Sequence, residues 1–192
     1  MKKSIILLML PIVFLVLYAM WSKAVELPQI GKVAEWPFTE VGENKTNFQG
    51  KPKLVTFFFT KCPDVCPTTM LDLTALQEVM EDRGISQDKY FIIAITVDPE
   101  YDTEDKIVQY KKLFNIEDPN WLFFRGTEES TKAFSNYLNF YYDKNEDGFV
   151  THSTSMYIVD DKDSIRAQHN MATRKNKVAI EEIANHLQQL IK

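Results

Sequence analysis

The chain has 192 residues and a net charge of −5, which becomes −8 (19 basic against 27 acidic residues) once the three lysines of the first 23 residues are set aside. An acidic domain without a basic stripe excludes nucleic acid as a partner and electrostatic docking on anionic lipid. Hydrophobic content of 45% is enough for a real core in one domain with a short appendage, and two cysteines are too few for a disulfide-built scaffold, so the pair belongs to chemistry rather than to structure. A plain stabilising disulfide is the weaker reading, because so short a loop constrains little of the unfolded chain.

Met1-Lys2-Lys3 is a basic start, and Ile5 to Trp21 then runs without charge, interrupted only by Pro11. At ~1.5 Å per residue that run spans ~25 Å, slightly short of the ~30 Å hydrocarbon core. A cleaved signal segment and an uncleaved anchor both fit. The bulky Tyr18-Ala19-Met20-Trp21 offers no good cleavage site, and Trp21 and Lys23 suit a membrane interface. The expectation is an anchor over residues 1–23, with Lys2 and Lys3 in the cytoplasm and the domain outside it. No cysteine near the end of the run supplies a lipoprotein anchor. Residues 24–30 are a tether, and residues 31–192 are the domain.

Trp36 to Val41 and Lys45 to Phe48 suggest a hairpin around Gly42-Glu43-Asn44. Leu54 to Thr60 is an apolar, β-branched and aromatic run, the pattern of a buried strand. Met70, Leu71, Leu73, Leu76, Val79 and Met80 then recur at helical spacing, with Pro67 suited to the first turn and Gly84 to the end. Cys62 therefore falls in a strand-to-helix loop and Cys66 at the helix start, a position that favours thiolate. Two thiols four residues apart around such a corner can close a disulfide or pinch a soft metal ion.

Tyr90 to Val97 is a second buried strand, followed by a helix from Thr103 to about Phe114. Trp121 to Phe124 is a short strand and Thr127 to Leu138 a helix. Asp143-Lys144-Asn145-Glu146-Asp147-Gly148 matches half of a calcium loop, but Thr154 stands where the closing carboxylate belongs and the flanks are strand-like. It is assigned as a solvated hairpin turn. Met156 to Val159 and Ser164 to Ala167 form a hairpin, and Val178, Ile183, Leu187 and Leu190 place a last helix on a sheet. The order gives a small α/β domain, and the cysteine corner suggests a thioredoxin-like fold. The expected form is a central mixed sheet flanked by helices, with an extra N-terminal hairpin and an inserted hairpin before the histidine segment.

Three segments carry a resemblance. Phe59-Thr60-Lys61-Cys62-Pro63-Asp64-Val65-Cys66-Pro67 resembles the C-P-x-x-C-P motif of the SCO/SenC family. Thr96-Val97-Asp98-Pro99-Glu100-Tyr101-Asp102 resembles its D-P-E-x-D segment, and Val150-Thr151-His152-Ser153 with Met156 to Asp160 resembles its histidine segment. The likeness covers roughly Ile30 to Lys192. Thr151 stands where the family often has Asp, which leaves the ligand in place and leaves open what braces it. The family comprises membrane-tethered, thioredoxin-like copper proteins of cytochrome c oxidase assembly. The resemblance thus implies copper, as Cu(I) or Cu(II), held by Cys62, Cys66 and His152. Two sulfurs and an imidazole are a soft set that copper accepts, whereas structural zinc usually wants four protein ligands.

Asp98 ends a central strand and is a candidate to brace a ligand; as a turn residue before Pro99 it has an equal claim. Glu100, Asp102, Glu104 and Asp105 are expected as a solvated helix start. His169 and His186 have no supporting segment. The implied partners are the copper-bearing subunit of cytochrome c oxidase, other copper carriers and thiol reductants. The competing function is a thiol–disulfide oxidoreductase using Cys62 and Cys66, which does not need His152. Whether the chain is an enzyme is left open. A peroxidase of the peroxiredoxin kind is disfavoured, because Val55 and Phe59 stand seven residues before the cysteines where Pro is required.

Overall fold

A computed structural model describes residues 26–42 and 45–191. The expected anchor over residues 1–23 lies outside them. Among the described residues no helix is long and apolar enough to cross a membrane.

Two buried parallel strands, β3 (Lys53–Phe58) and β4 (Phe91–Thr96), form the centre, as their unbroken apolar runs require when both faces are covered. β5 (Trp121–Arg125) extends them in parallel on one side. On the other side β8 (Ser155–Val159) and β9 (Ser164–Asn170) add as an antiparallel hairpin. Short edge strands close both ends: β1 (Gly31–Lys32) on β9, and β2 (Thr39–Glu40) on β5. The sheet order is β1-β9-β8-β3-β4-β5-β2.

Phe57 and Phe58 point to opposite faces, as neighbours in a strand must. Phe57 stacks on Phe140 and meets Phe134 of α3 (Glu128–Tyr137), while Phe58 stacks on Tyr110 of α2 (Glu104–Leu113). α1 (Val65–Asp82) and α4 (Ile180–Leu190) pack together, with Arg83 beyond α1 reaching Glu181, Asn185 and Gln188 of α4. The fold is the expected mixed sheet flanked by helices.

One expected piece is corrected. Residues 36–41 and 45–48 do not pair as a hairpin; Thr39 and Glu40 pair instead with Arg125 and Phe124 of β5. The two segments still meet through side chains: Trp36 packs edge-on against Phe48, and Glu40 accepts bonds from the Thr46 N–H and hydroxyl. The exposed edge of β5 offers unpaired backbone groups, and capturing a short strand there satisfies them. The inserted hairpin is present as β6 (Tyr142–Lys144) and β7 (Val150–His152), with Asp143 to Gly148 running through its turn. His152 is the last residue of that hairpin rather than a residue beyond it.

Candidate metal centre

The corner after β3 is tight. The Cys62 N–H donates back to the Phe59 carbonyl at 3.1 Å, and α1 begins at Val65. Cys66 is thus the second residue of the helix, and its backbone N–H points at Cys62 Sγ, 3.3 Å away. That N–H is one of those a helix leaves without an internal partner, so a negative sulfur is its natural acceptor. Cys62 is 8% exposed and Cys66 fully buried, and both are free thiols.

The two sulfurs are inequivalent. The Cys62 thiol is pulled down to about 4, first by the hydrogen bond from Cys66, against burial, and then by His152 and the backbone N–H groups of Asp64 and Cys66. Cys66 is pushed well up, by donating that same hydrogen bond and by burial. The thiolate therefore sits in the loop, on Cys62, and Cys66 keeps the proton. This corrects the expectation that the helix-start residue itself carries the charge: the N–H groups at the helix start aim backwards at the preceding loop.

His152 arrives from the far end of the sequence on β7. Its Nδ1 lies 2.6 Å from the Ser153 carbonyl. A carbonyl only accepts, so Nδ1 carries a proton there and Nε2 is the nitrogen left to face the Cys62 sulfur or a ligand. Ser153 is fixed in turn by its N–H, which donates to the Tyr141 carbonyl, and by its hydroxyl oxygen, which accepts from the Tyr141 N–H. Phe140 stacks on the imidazole and Phe59 meets it edge-on. The bracing bond that Thr151 leaves open is supplied by main chain. One ligand atom from each of Cys62, Cys66 and His152 lies within 4.8 Å of the others.

Asp98 is buried, and one of its oxygens accepts from Lys144 Nζ at 2.8 Å. Lys144 stands on β6 opposite Val150, so Asp98 ties down the hairpin that ends in His152 and makes no hydrogen bond to a sulfur or to the imidazole. The carboxylate that touches the cysteine corner is Asp102, which is fully buried rather than solvated. It accepts from the Thr60 N–H at 3.2 Å, and from the hydroxyls of Thr60 and Thr96 at 2.5 Å each. Burial raises its pKa, against the opposing effect of those hydrogen bonds. Its place in an acidic run concealed it; the signal that marks it is that Thr96 ends β4 and Thr60 lies just past the end of the neighbouring β3, with both hydroxyls presented to one point. Asp102→Ala strands the buried Thr96 hydroxyl and the half-buried Thr60 hydroxyl and N–H, which should cost about 2–3 kcal/mol and lower Tm by roughly 4–12 °C. A thermal melt of the reduced chain checks this, and a shift below about 2 °C would show that Asp102 is not holding the corner.

A family model described as SCO1/SenC matches residues 38–189. The mitochondrial SCO1 homolog 1 of Arabidopsis thaliana is 32% identical over 145 residues, 70% of this chain and 42% of the relative. The human mitochondrial SCO1 homolog is 30% identical over 156 residues, 78% of this chain and 50% of the relative. This chain thus spans half or less of the length of those two curated relatives. Among solved structures, Bradyrhizobium japonicum ScoI with copper bound is 28% identical at a TM-score of 0.60, covering 75% of this chain and 87% of that one. A SCO1/SenC family lipoprotein from Bacillus anthracis matches in fold at a TM-score of 0.77, with 23% identity over 87% of this chain and 99% of that one. With its fold, its cysteine corner and the family match over residues 38–189 in agreement, the chain belongs to the SCO1/SenC family.

Proposed function

We propose that the chain carries copper between Cys62, Cys66 and His152 and delivers it to the copper-bearing subunit of a cytochrome c oxidase. The observation that carries this reading is the convergence of two sulfurs and one imidazole nitrogen within 4.8 Å, drawn from the β3–α1 corner and from β7. Two thiolates and an imidazole suit Cu(I), and Cu(II) with water or another group added. Copper is cargo in this reading. Copper-bound relatives from Arabidopsis thaliana and Bradyrhizobium japonicum, at 26% and 28% identity, support the choice of ion. Cys62 is ready as thiolate, and Cys66 gives up its proton on loading. Other copper carriers would load the site, and thiol reductants would keep both sulfurs reduced.

The test is uptake of Cu(I) and zinc offered together, read as the difference between the reduced chain and its Cys62–Cys66 disulfide form, so that ions held elsewhere cancel. About one copper per chain and little zinc is expected. Equal or greater zinc uptake overturns the reading.

A second reading has its own support. A loop thiolate beside a buried, protonated partner is the arrangement of a disulfide-exchange pair, in which Cys62 attacks and Cys66 resolves. Both tasks are compatible, since reducing a client's cysteines can precede metallation. For location, we propose that Ile5 to Trp21 anchors the domain on the outer side of a membrane. Protease added to spheroplasts should digest the domain; recovery as a soluble protein with its N-terminus after the apolar run would refute the anchor.

A further inference from the structure

A second cluster of ligating side chains among the described residues lies at the seam between β9 and α4. His169 comes from β9 and is buried. Glu182 and His186 come from α4, four residues apart and so on one face of that helix. His169 Nε2 lies 3.0 Å from His186 Nδ1, and His169 Nδ1 lies 3.9 Å from a Glu182 oxygen. One ligand atom from each residue lies within 4.8 Å of the others. A cleft of about 450 Å³ runs along His169 and Glu182, lined also by Asn170, Thr173 and Asn176, and gives an ion a path in. The carboxylate faces solvent, and His186 is half-buried.

We propose that His169, Glu182 and His186 form a second metal site, one that takes a divalent first-row transition-metal ion. The donor set decides the class of ion. Two imidazoles and a carboxylate suit divalent first-row ions, and without sulfur they give no hold on soft Cu(I). The 3.0 Å contact without metal is one ring N–H donating to the lone pair of the other, and the ion takes the place of that proton, which moves to the other nitrogen of the same ring as the two rings part to admit the ion. Glu182 then turns its carboxylate, free in solvent, onto the ion.

The site is also placed to brace the molecule. Just past His169, the Met171 N–H donates to the Thr154 carbonyl and the Ala172 N–H to the Thr69 hydroxyl on α1. An ion between β9 and α4 therefore clamps the last helix to a strand end that is already tied to the helix carrying Cys66.

The test uses the full chain, solubilised in detergent, with Cys62 and Cys66 oxidised to a disulfide so that their sulfurs hold no metal, and Ni²⁺ as the probe. Uptake of about one Ni²⁺ per chain is expected, with a Tm rise of roughly 5–10 °C at a hundredfold excess over Kd. His186→Asn should weaken uptake by about 100-fold or more, and Glu182→Gln by about tenfold. Both positions reach solvent, so melting of the metal-free variants verifies that each remains folded. Absence of Ni²⁺ uptake by the oxidised wild-type chain overturns the proposal, as does wild-type uptake by folded His186→Asn.

Discussion

Replacing His152 by alanine should abolish stable Cu(II) binding at the cysteine corner, at least about 100-fold in affinity and with it any sulfur-to-copper visible band, while leaving the Cys62–Cys66 disulfide couple near its wild-type potential. The two chemistries make different demands. Copper needs a converging ligand set, and the imidazole is its one nitrogen donor within reach among the described residues. Without it two sulfurs remain, which hold Cu(I) weakly and offer Cu(II) too few donors. Disulfide exchange needs two sulfurs and access. The hydrogen bond from Cys66 and the helix N–H on Cys62 both survive the loss of His152. Cys62→Ser and Cys66→Ser should each remove both properties. In a host lacking this protein, His152→Ala should then fail to restore oxidase activity. Copper titration, disulfide redox equilibration and that complementation form one experiment. Full rescue by a variant whose cysteine corner no longer binds copper would transfer the function to thiol exchange.

The site was unevenly legible in the sequence, for physical reasons. The cysteine corner is local: an apolar run stops, a helical pattern starts, and Pro67 marks the first turn, so the positions of Cys62 and Cys66 follow from neighbouring residues alone. His152 lies far along the chain, and no local pattern says that β7 brings it to the corner. Only the family resemblance pointed there, and the geometry agrees. Asp102 was misplaced because charge count stands in for exposure in an acidic run. A buried carboxylate is disclosed by the donors around it, here from Thr60 and Thr96, and those meet only once β3 and β4 pair. The edge strands failed in the same way. Thr39 and Glu40 have no alternation long enough to name a partner, and which sheet edge they join depends on the rings of Trp36, Phe38 and Phe48 that settle around Phe134 and Phe124.

Thiol labelling should show a flat rate at Cys62 from about pH 8 down to about pH 5, falling only near pH 4, with Cys66 unlabelled throughout. An ordinary cysteine is mostly protonated below about pH 8.5 and loses reactivity tenfold per pH unit. At pH 6 its thiolate fraction is roughly 0.3%, against nearly all for Cys62 pulled down to about 4, a gain of about 300-fold. Nucleophilicity falls with pKa at a Brønsted slope of about 0.4–0.5, which removes about 100-fold over the same interval. The two nearly cancel, so the absolute rate is a poor guide and the shape of the profile is the measurement. Stability carries the same sign. Cys62 is more acidic folded than unfolded, so its contribution is full above the unfolded value, near 8.5, and is lost as pH falls towards 4. Cys66 is less acidic folded than unfolded, so its contribution is full below that same unfolded value and is lost as pH rises above it. The stability of the reduced chain relative to its disulfide form should therefore peak around pH 8 to 9 and fall on either side. Denaturant unfolding of both forms across pH 4 to 10, beside mass-resolved iodoacetamide labelling, tests it. A Cys62 rate that drops tenfold per unit from pH 8, or equal labelling of Cys66, would mean that the proton is not held on Cys66 and that the asymmetry of the pair is absent in solution.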